Sequence, residues 1–256
     1  MCCWLRKNRF DMQEILIITG GSKGIGKGIV TAYLAKGVTV FSISRTANQE
    51  LSADGVTQIA LDLTEITKIE EEFQRIFSLL DQKKIAKITL VNNAGTLGQI
   101  GPLEKLAPDA IANAILLNTT VPFICSAALI KNTSAWSAEK TIINITSGAA
   151  LKPYFGWSVY CSTKAALNML TETLAVEQRE VANGVKVLAV APGVVDTDMQ
   201  AEIRQSDKSN FKDIERFIAL KEDGALNDAL TVGRKIFEMD NDNSLPNGAI
   251  LRIEGS

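Results

Sequence analysis

The chain has 256 residues, 46% hydrophobic and 22% charged, the balance of a globular protein with ample apolar material for a core. Its 27 Lys and Arg against 29 Asp and Glu leave a net charge of −2, which argues against nucleic acid as the main partner, because neutralising phosphates needs a basic face. Histidine is absent, so every Ser-His-Asp or Cys-His nucleophile and every His-containing metal site is excluded at once.

Residues 1–11 mix basic and apolar side chains but lack the apolar core of a signal peptide. They read as a disordered extension, or as an upstream misassigned start ahead of Met12, with 12–256 as one catalytic domain. Short β-branched or apolar runs then recur at Ile15–Thr19, Val38–Ile43, Gln58–Leu61, Ile85–Val91, Thr141–Thr146, Val185–Val190 and Ala249–Ile253. Between them lie segments at helical spacing: Ile25–Ala35, Thr64–Leu80, Pro108–Ile130, Tyr160–Val181 and a shorter one at Ala225–Met239. Strands alternating with helices predict an α/β fold: a single Rossmann-type domain, doubly wound, with a parallel seven-stranded sheet covered on both faces. Residues 197–228 interrupt the pattern with a charge-rich stretch after the sixth strand. That stretch is either a solvated helical excursion or a lid over the ligand-binding edge of the sheet.

Two further exclusions follow. Cys2, Cys3, Cys125 and Cys161 match neither a zinc ribbon nor a disulfide framework, so reduced thiols in a cytoplasm are expected, with no metal. No run approaches the ~18 consecutive apolar residues of a membrane span, so no membrane partner is expected.

The first chemical constellation is the strand-turn-helix Ile15–Gly28, with Gly20, Gly21, Gly24, Gly26 and Gly28 between the strand and the helix. Such glycines let the backbone turn tightly and approach a pyrophosphate at the helix N-terminus. Gly21 to Lys27 also fits the opening of a P-loop, but Gly28 stands where a magnesium-binding Ser or Thr is needed, and Asn92 ends the run Ile88–Val91 in place of an Asp. The second lies at the end of the second strand, where NAD-binding folds carry an acid. Here Ser44 and Arg45 stand instead, and Lys23 adds a cation in the glycine turn; together they favour the 2′-phosphate of NADP.

The third is Ser147, Tyr160 and Lys164. Tyr160 and Lys164 share one helix face, and Ser147 follows a strand directly. A tyrosine of pKa ~10 is a poor proton donor at neutral pH; lowering it by three units takes ~4 kcal/mol, which an adjacent ammonium and a cationic nicotinamide could supply.

With Thr19-Gly20-x-x-x-Gly24-x-Gly26, Asn92-Asn93-Ala94-Gly95, Ser147, Tyr160-x-x-x-Lys164 and Pro192-Gly193 in this order, the chain resembles the short-chain dehydrogenase/reductase family from about Ile15 to Glu254. The resemblance implies that Tyr160 is the general acid/base, that Lys164 binds the nicotinamide ribose and lowers the tyrosine pKa, that Ser147 holds the carbonyl, and that Asn118 anchors a relay water. It further implies NADPH/NADP held by Gly20, Ser22, Lys23, Gly24, Ile25, Gly26, Arg45, Asp62, Leu63, Asn93, Ala94, Gly95, Val195 and Thr197, with Asp62 at the adenine and Val195 and Thr197 at the carboxamide. Pro153–Trp157, Val195–Gln200 and Arg216–Lys221 carry a closer likeness to the bacterial benzil reductases that form (S)-benzoin, a group similar to sepiapterin reductases.

The implied activity is reduction of a ketone; oxidation of an alcohol and a nucleotide-sensing scaffold are the rivals. Tyr154, Phe155 and Trp157 lie between Ser147 and Tyr160 in a chain with only 6% aromatics. With Met199 they are expected to wall a substrate pocket for a flat aryl ketone, the bland alternative being ordinary core aromatics. No Arg occurs from Ser147 to Lys164, which argues against an acidic substrate. Apolar residues in Pro108–Ile130 and Tyr160–Val181 exceed what one sheet face covers, so these helices are expected to pair in a homodimer, with a tetramer as the alternative.

Overall fold

The computed structural model describes residues 12–52 and 55–254; the expectation for residues 1–11 lies outside them. Seven strands form one parallel sheet: β1 (Gln13–Thr19), β2 (Thr39–Ser44), β3 (Val56–Ala60), β4 (Ile85–Asn92), β5 (Glu139–Ile145), β6 (Lys186–Ala191) and β7 (Ile250–Arg252). Their spatial order is β3-β2-β1-β4-β5-β6-β7, every neighbour parallel. The order reverses between β1 and β4, and in such sheets ligands bind outside the carboxyl ends of the strands at that point. The central strands are buried on both faces, as their unbroken apolar runs require.

Eight helices cover the sheet: α1 (Gly24–Leu34), α2 (Ile66–Ser78), α3 (Pro108–Ile115), α4 (Val121–Thr133), α5 (Ser158–Arg179), α6 (Asp198–Arg204), α7 (Ile214–Glu222) and α8 (Ala229–Asp240). One core layer joins Ile17, Ile88 and Ile142 of the sheet to Phe73 of α2 and Leu129 of α4. The opposite layer joins Leu16, Val91 and Ile143 to Ile29 of α1 and Ile236 of α8. Here α1 and α8 touch backbone to backbone: a Cβ on Gly28 would stand 2.0 Å from the Ala229 carbonyl oxygen, and one on Gly233 would stand 2.2 Å from that of Gly28. Gly28, which breaks the P-loop pattern in the sequence, is thus a packing residue.

Element boundaries depart from the periodicity for local reasons. The segment expected at Ala225–Met239 starts as a helix only at α8, because the Asp228 carboxylate accepts from the Thr231 N–H at 2.7 Å and caps it. The expected helix Pro108–Ile130 runs on to Thr133, and Leu116–Thr120 within it widens into a π-turn between α3 and α4. By length and composition the run Pro108–Thr133 is apolar enough to cross a membrane, but α4 lays Val121, Cys125, Ala128 and Leu129 into the core.

Residues 197–228, expected as a solvated helical excursion or a lid, are in good part helical and have many exposed side chains. They fold as α6 and α7 around a small core of their own, in which Ile203, Phe211, Ile214 and Phe217 close on Trp157 and Tyr160.

Candidate active site

At the carboxyl edge β1 runs into Gly20, whose φ of +70° suits glycine. Gly26 in the first turn of α1 lies against that strand end, where a Cβ would stand 2.0 Å from the Gly20 carbonyl oxygen. Asn93 fastens the turn from β4: its Nδ2 donates to the Thr19 and Gly20 carbonyls at 3.0 and 2.9 Å. The Thr19 hydroxyl in return accepts from the Asn93 and Ala94 N–H groups, both at 3.1 Å. α1 starts at Lys23 with no side-chain cap and no acid in its first turn, so its free N–H groups and positive dipole end suit an anion. Two residues that pattern reading passed over hold the other side. Asn48 Nδ2 donates to the Ser22 carbonyl at 2.7 Å, and Gln58 grips the Asn48 backbone at 2.7 and 2.9 Å. Neither belongs to a motif; only the β2–β3 pairing brings them there.

Beyond the turn, Ser44 ends β2 with a buried hydroxyl that has no hydrogen-bond partner. Arg45 follows, exposed and in no ion pair among the described residues. Asp62 accepts from the Thr64 N–H and hydroxyl at 2.9 and 2.7 Å, bonds that hold its carboxyl below the usual range, with Arg45 adding a smaller pull. Leu63 is buried in the core rather than free for a ligand. Lys23 departs from expectation. Its ammonium does not join Arg45 but pairs with Asp198 at 2.9 Å, at the start of α6. Both side chains are more than 70% exposed, so the bridge is worth only ~0–1 kcal/mol.

β5, the loop after it and α5 bring together Ser147, Tyr160 and Lys164. The Ser147 hydroxyl accepts from the Ala149 N–H at 3.2 Å, which fixes its direction at the strand end. Tyr160 is 7% exposed; burial raises its pKa above 10, a hydrogen bond with Ser147 opposes the rise, and Cys161 adds to it. Lys164 is buried, donates to the Ile145 carbonyl at 2.8 Å and stands 5.9 Å from the Tyr160 ring centroid. With no carboxylate to pair with, burial alone pushes its pKa down to about 8.

In the chain by itself, burial is the largest influence on Tyr160 and raises its pKa. Asn118 also differs in detail. It lies in the π-turn, and its side chain is spent on Thr96 N–H (2.8 Å), Thr96 carbonyl (2.8 Å) and Thr163 hydroxyl (3.1 Å). Gly95 keeps this corner open, since a Cβ there would stand 3.2 Å from Asn118 Oδ1 and 3.6 Å from Lys164 Nζ.

Val195 and Thr197 follow β6. Thr197 caps α6 and reaches over the glycine turn, its Cγ2 3.2 Å from where a Gly24 Cβ would be. Ile25 packs on the α1–α8 layer.

The expected aromatic wall divides. Trp157 is 5% exposed, stacks on Phe211 at 4.4 Å and meets Tyr160 edge-on at 5.4 Å. Tyr154 joins it at 5.1 Å and accepts from Arg216 at 2.9 Å, while Met199 packs at the margin of the same cluster. Phe155 does not belong to the wall: it is 41% exposed, with the Lys212 ammonium 4.3 Å above its ring. Phe211 and Phe217, remote in sequence, take its place.

The chain is 40% identical over 245 residues to the benzil reductase ((S)-benzoin forming) of Bacillus cereus, covering 93% of this chain and 98% of that one. It is 31% identical over 251 residues to the sepiapterin reductase of Meriones unguiculatus, covering 92% and 94%. Among solved structures, ElxO with NADP bound superposes at a TM-score of 0.78 with 28% identity, over 95% of this chain and 98% of that one. The model of the family described as short chain dehydrogenase matches residues 14–208. With that match and the parallel sheet that carries it, this chain is an oxidoreductase belonging to the short chain dehydrogenase family.

Proposed function

We propose that the chain is an NADPH-dependent carbonyl reductase of aromatic α-diketones, of the benzil to (S)-benzoin type. The observation that carries this reading is the buried Tyr160, hydrogen-bonded to Ser147 and followed one helical turn later by Lys164 with no acid beside it. Such a set has no use in a nucleotide sensor.

The residues fit the dinucleotide. Gly20, Gly24 and Gly26 leave no side chain over the free N–H groups of α1, which, with Ser22 and Ile25, would take the pyrophosphate. The partnerless Ser44 hydroxyl and the unpaired Arg45 would take a ribose 2′-phosphate, as carboxylate-free ends of β2 do. Asp62 and the main chain of Leu63 would flank the adenine, Asn93, Ala94 and Gly95 the adjoining ribose, Val195 and Thr197 the carboxamide, and Lys164 the nicotinamide ribose. Bound there, the reduced nicotinamide supplies a hydride to a carbonyl carbon.

The chain's own residues do the rest. Ser147 orients the carbonyl oxygen, and Tyr160 gives it a proton. Tyr160 bears its proton at neutral pH, and the cationic nicotinamide and the Lys164 ammonium would ease its release. Lys164 would restore a proton through water held at the widened Asn118 turn, a task left to that residue's main chain because its amide is occupied. Trp157, Tyr154 and Met199 would form the apolar side of the pocket, and 197–228 would act as a packed cover.

The surroundings are read in the same way. Ile115, Phe123, Met169, Val176 and Val181 are 44–62% exposed along the α3–α4 run and α5, which supports a homodimer through these helices. Free Cys125 and Cys161 support a cytoplasmic setting.

The test is NADPH and NADH oxidation with benzil, with chiral analysis of the product. NADPH should be strongly preferred, and Arg45→Asp should hurt NADPH far more than NADH. Equal kcat/KM for the two nucleotides would overturn the cofactor assignment; no benzil turnover with either would overturn the substrate assignment.

A further inference from the structure

Beside the candidate site lies a cavity of ≈ 250 Å³ whose lining includes Ser147 and reaches β6 and β7 at Ala191, Ile250, Leu251 and Arg252. Ordinary ligand pockets hold about 300–1,000 Å³, so this space suits one end of a molecule rather than the whole of it. Leu151 and Leu251 give it an apolar wall. Leu151 is 77% exposed, an open hydrophobic surface next to the serine.

Its lining is charged with one sign only. Lys152, Arg216 and Arg252 line it, and no Asp or Glu does. They come from three distant parts of the chain: the loop after β5, α7 and β7. None of the three forms an ion pair among the described residues. Arg216 is held in place by the Tyr154 hydroxyl at 2.9 Å, and its guanidinium lies 5.6 Å from the Phe217 ring centroid. Asn168, 6% exposed, completes the lining. Uncompensated cations around an apolar throat favour an anion, and a planar guanidinium favours a carboxylate in particular.

Resting on the reductase reading above, we infer that this cavity is a subsite for a carboxylate at the far end of the substrate. A ketone held by Ser147 would pass an apolar or aryl spacer along Leu151 and Leu251 and set its carboxylate among Lys152, Arg216 and Arg252. The substrate class is then an aryl keto acid. The absence of Arg between Ser147 and Lys164 misleads, because the fold supplies both arginines from far along the chain.

The test compares 4-carboxybenzil with its methyl ester under NADPH, and separately measures benzoate and benzamide binding by titration calorimetry. In the wild type the acid should exceed the ester in kcat/KM by about tenfold or more, the worth of one charge-assisted hydrogen bond. Arg252→Gln should lower that acid-to-ester ratio about tenfold, a ratio that cancels any loss of folded protein. Benzoate should bind more tightly than benzamide, and Arg252→Gln should erase the difference. Equal turnover of acid and ester, with benzil still reduced, would overturn the subsite and leave the reductase reading intact. If no ketone is reduced but benzoate binding still depends on Arg252, the anion site stands and the reductase reading falls. Benzoate and benzamide binding alike would overturn the site.

Discussion

The molecule buries a tyrosine and a lysine together in two places, and the two clusters behave differently. Beneath the sheet, Tyr33 of α1 donates to Asp240 of α8 at 2.9 Å, Thr89 donates to the same oxygen at 2.8 Å, and Lys87 stands 3.0 Å from the other. That second oxygen lies off the hydrogen-bonding direction and is met by charge alone. Lys87 also donates to the Asp240 carbonyl at 2.7 Å. Each charge there has an opposite, and burial followed by the carboxylate pushes the Tyr33 pKa well up. Such a cluster ties α1, α8 and β4 together and has nothing left to offer a ligand.

At the carboxyl edge, Tyr160 faces a neutral serine and Lys164 faces only a carbonyl. One acid separates the clusters. Without it the lysine is brought to about 8, within reach of a proton exchange near neutrality, as functional sites require and structural ion pairs do not. The paired cluster serves stability; the unpaired one is poised for chemistry.

The largest effect expected is at the unpaired cluster. Tyr160→Phe keeps the ring that Trp157 packs against and removes only the hydroxyl, so the protein should melt near the wild-type temperature. Turnover should fall by about 10²–10⁴, the usual worth of general acid catalysis. Steady-state kinetics with a melting curve checks both halves, and more than a tenth of wild-type turnover would sink the assignment.

The converse holds at the paired cluster. Asp240→Ala leaves the Lys87 charge, 7% exposed, without a partner, and breaking a buried pair this way costs ~3–5 kcal/mol. Denaturant unfolding should show that loss, while kcat per folded molecule stays unchanged. A marked fall in kcat with stability intact would erase the distinction between the clusters.

The difference was only half legible in the sequence. Strand runs, the glycine turn and Tyr160-x-x-x-Lys164 are local patterns, and local patterns set the sheet order and the position of the site. Lys87 and Asp240 lie at unremarkable points of a strand and a helix and meet only because α8 packs on α1 through Gly28 and Gly233. The stretch 197–228 leaves a solvated excursion and a lid equally open, because its apolar residues are sparse; Phe211 and Phe217 find their partners in Trp157 and Tyr154, far back along the chain. The desolvation of Tyr160 is not legible in the sequence for a related reason. Spacing reports that an ammonium is near, but desolvation depends on everything packed around both groups.

Stability against pH sharpens the comparison further. The folded Lys164 pKa of about 8 lies below its ordinary value of 10.5, so between those values the unfolded chain holds a proton that the folded chain has lost. Stability should therefore rise with pH from about 8 upward and fall as pH drops through 8, by ~3 kcal/mol at most. Near pH 10 the raised pKa values of Tyr160 and Tyr33 act oppositely, because the unfolded tyrosines then ionise first. Lys164→Met should remove the rise between pH 8 and 10, read by urea midpoints across that range. An unchanged profile would show that Lys164 is not the group responsible.

The smallest effect expected separates two aromatics that stand side by side in the sequence. Trp157 fills the contact between α5 and the cover, stacked on Phe211; truncating such a ring costs ~3–5 kcal/mol. Phe155 is 41% exposed under Lys212, and a cation–π contact at an exposed site is worth ~0.5–1 kcal/mol. Phe155→Ala should thus lower stability by less than about 1 kcal/mol and leave KM for benzil within twofold, because its ring lies at the surface under Lys212 and outside the buried aromatic cluster. Chemical unfolding and Michaelis kinetics on this one variant check both. A several-fold rise in KM would mean that the ring swings inward over bound substrate, returning Phe155 to the wall from which its exposure excludes it.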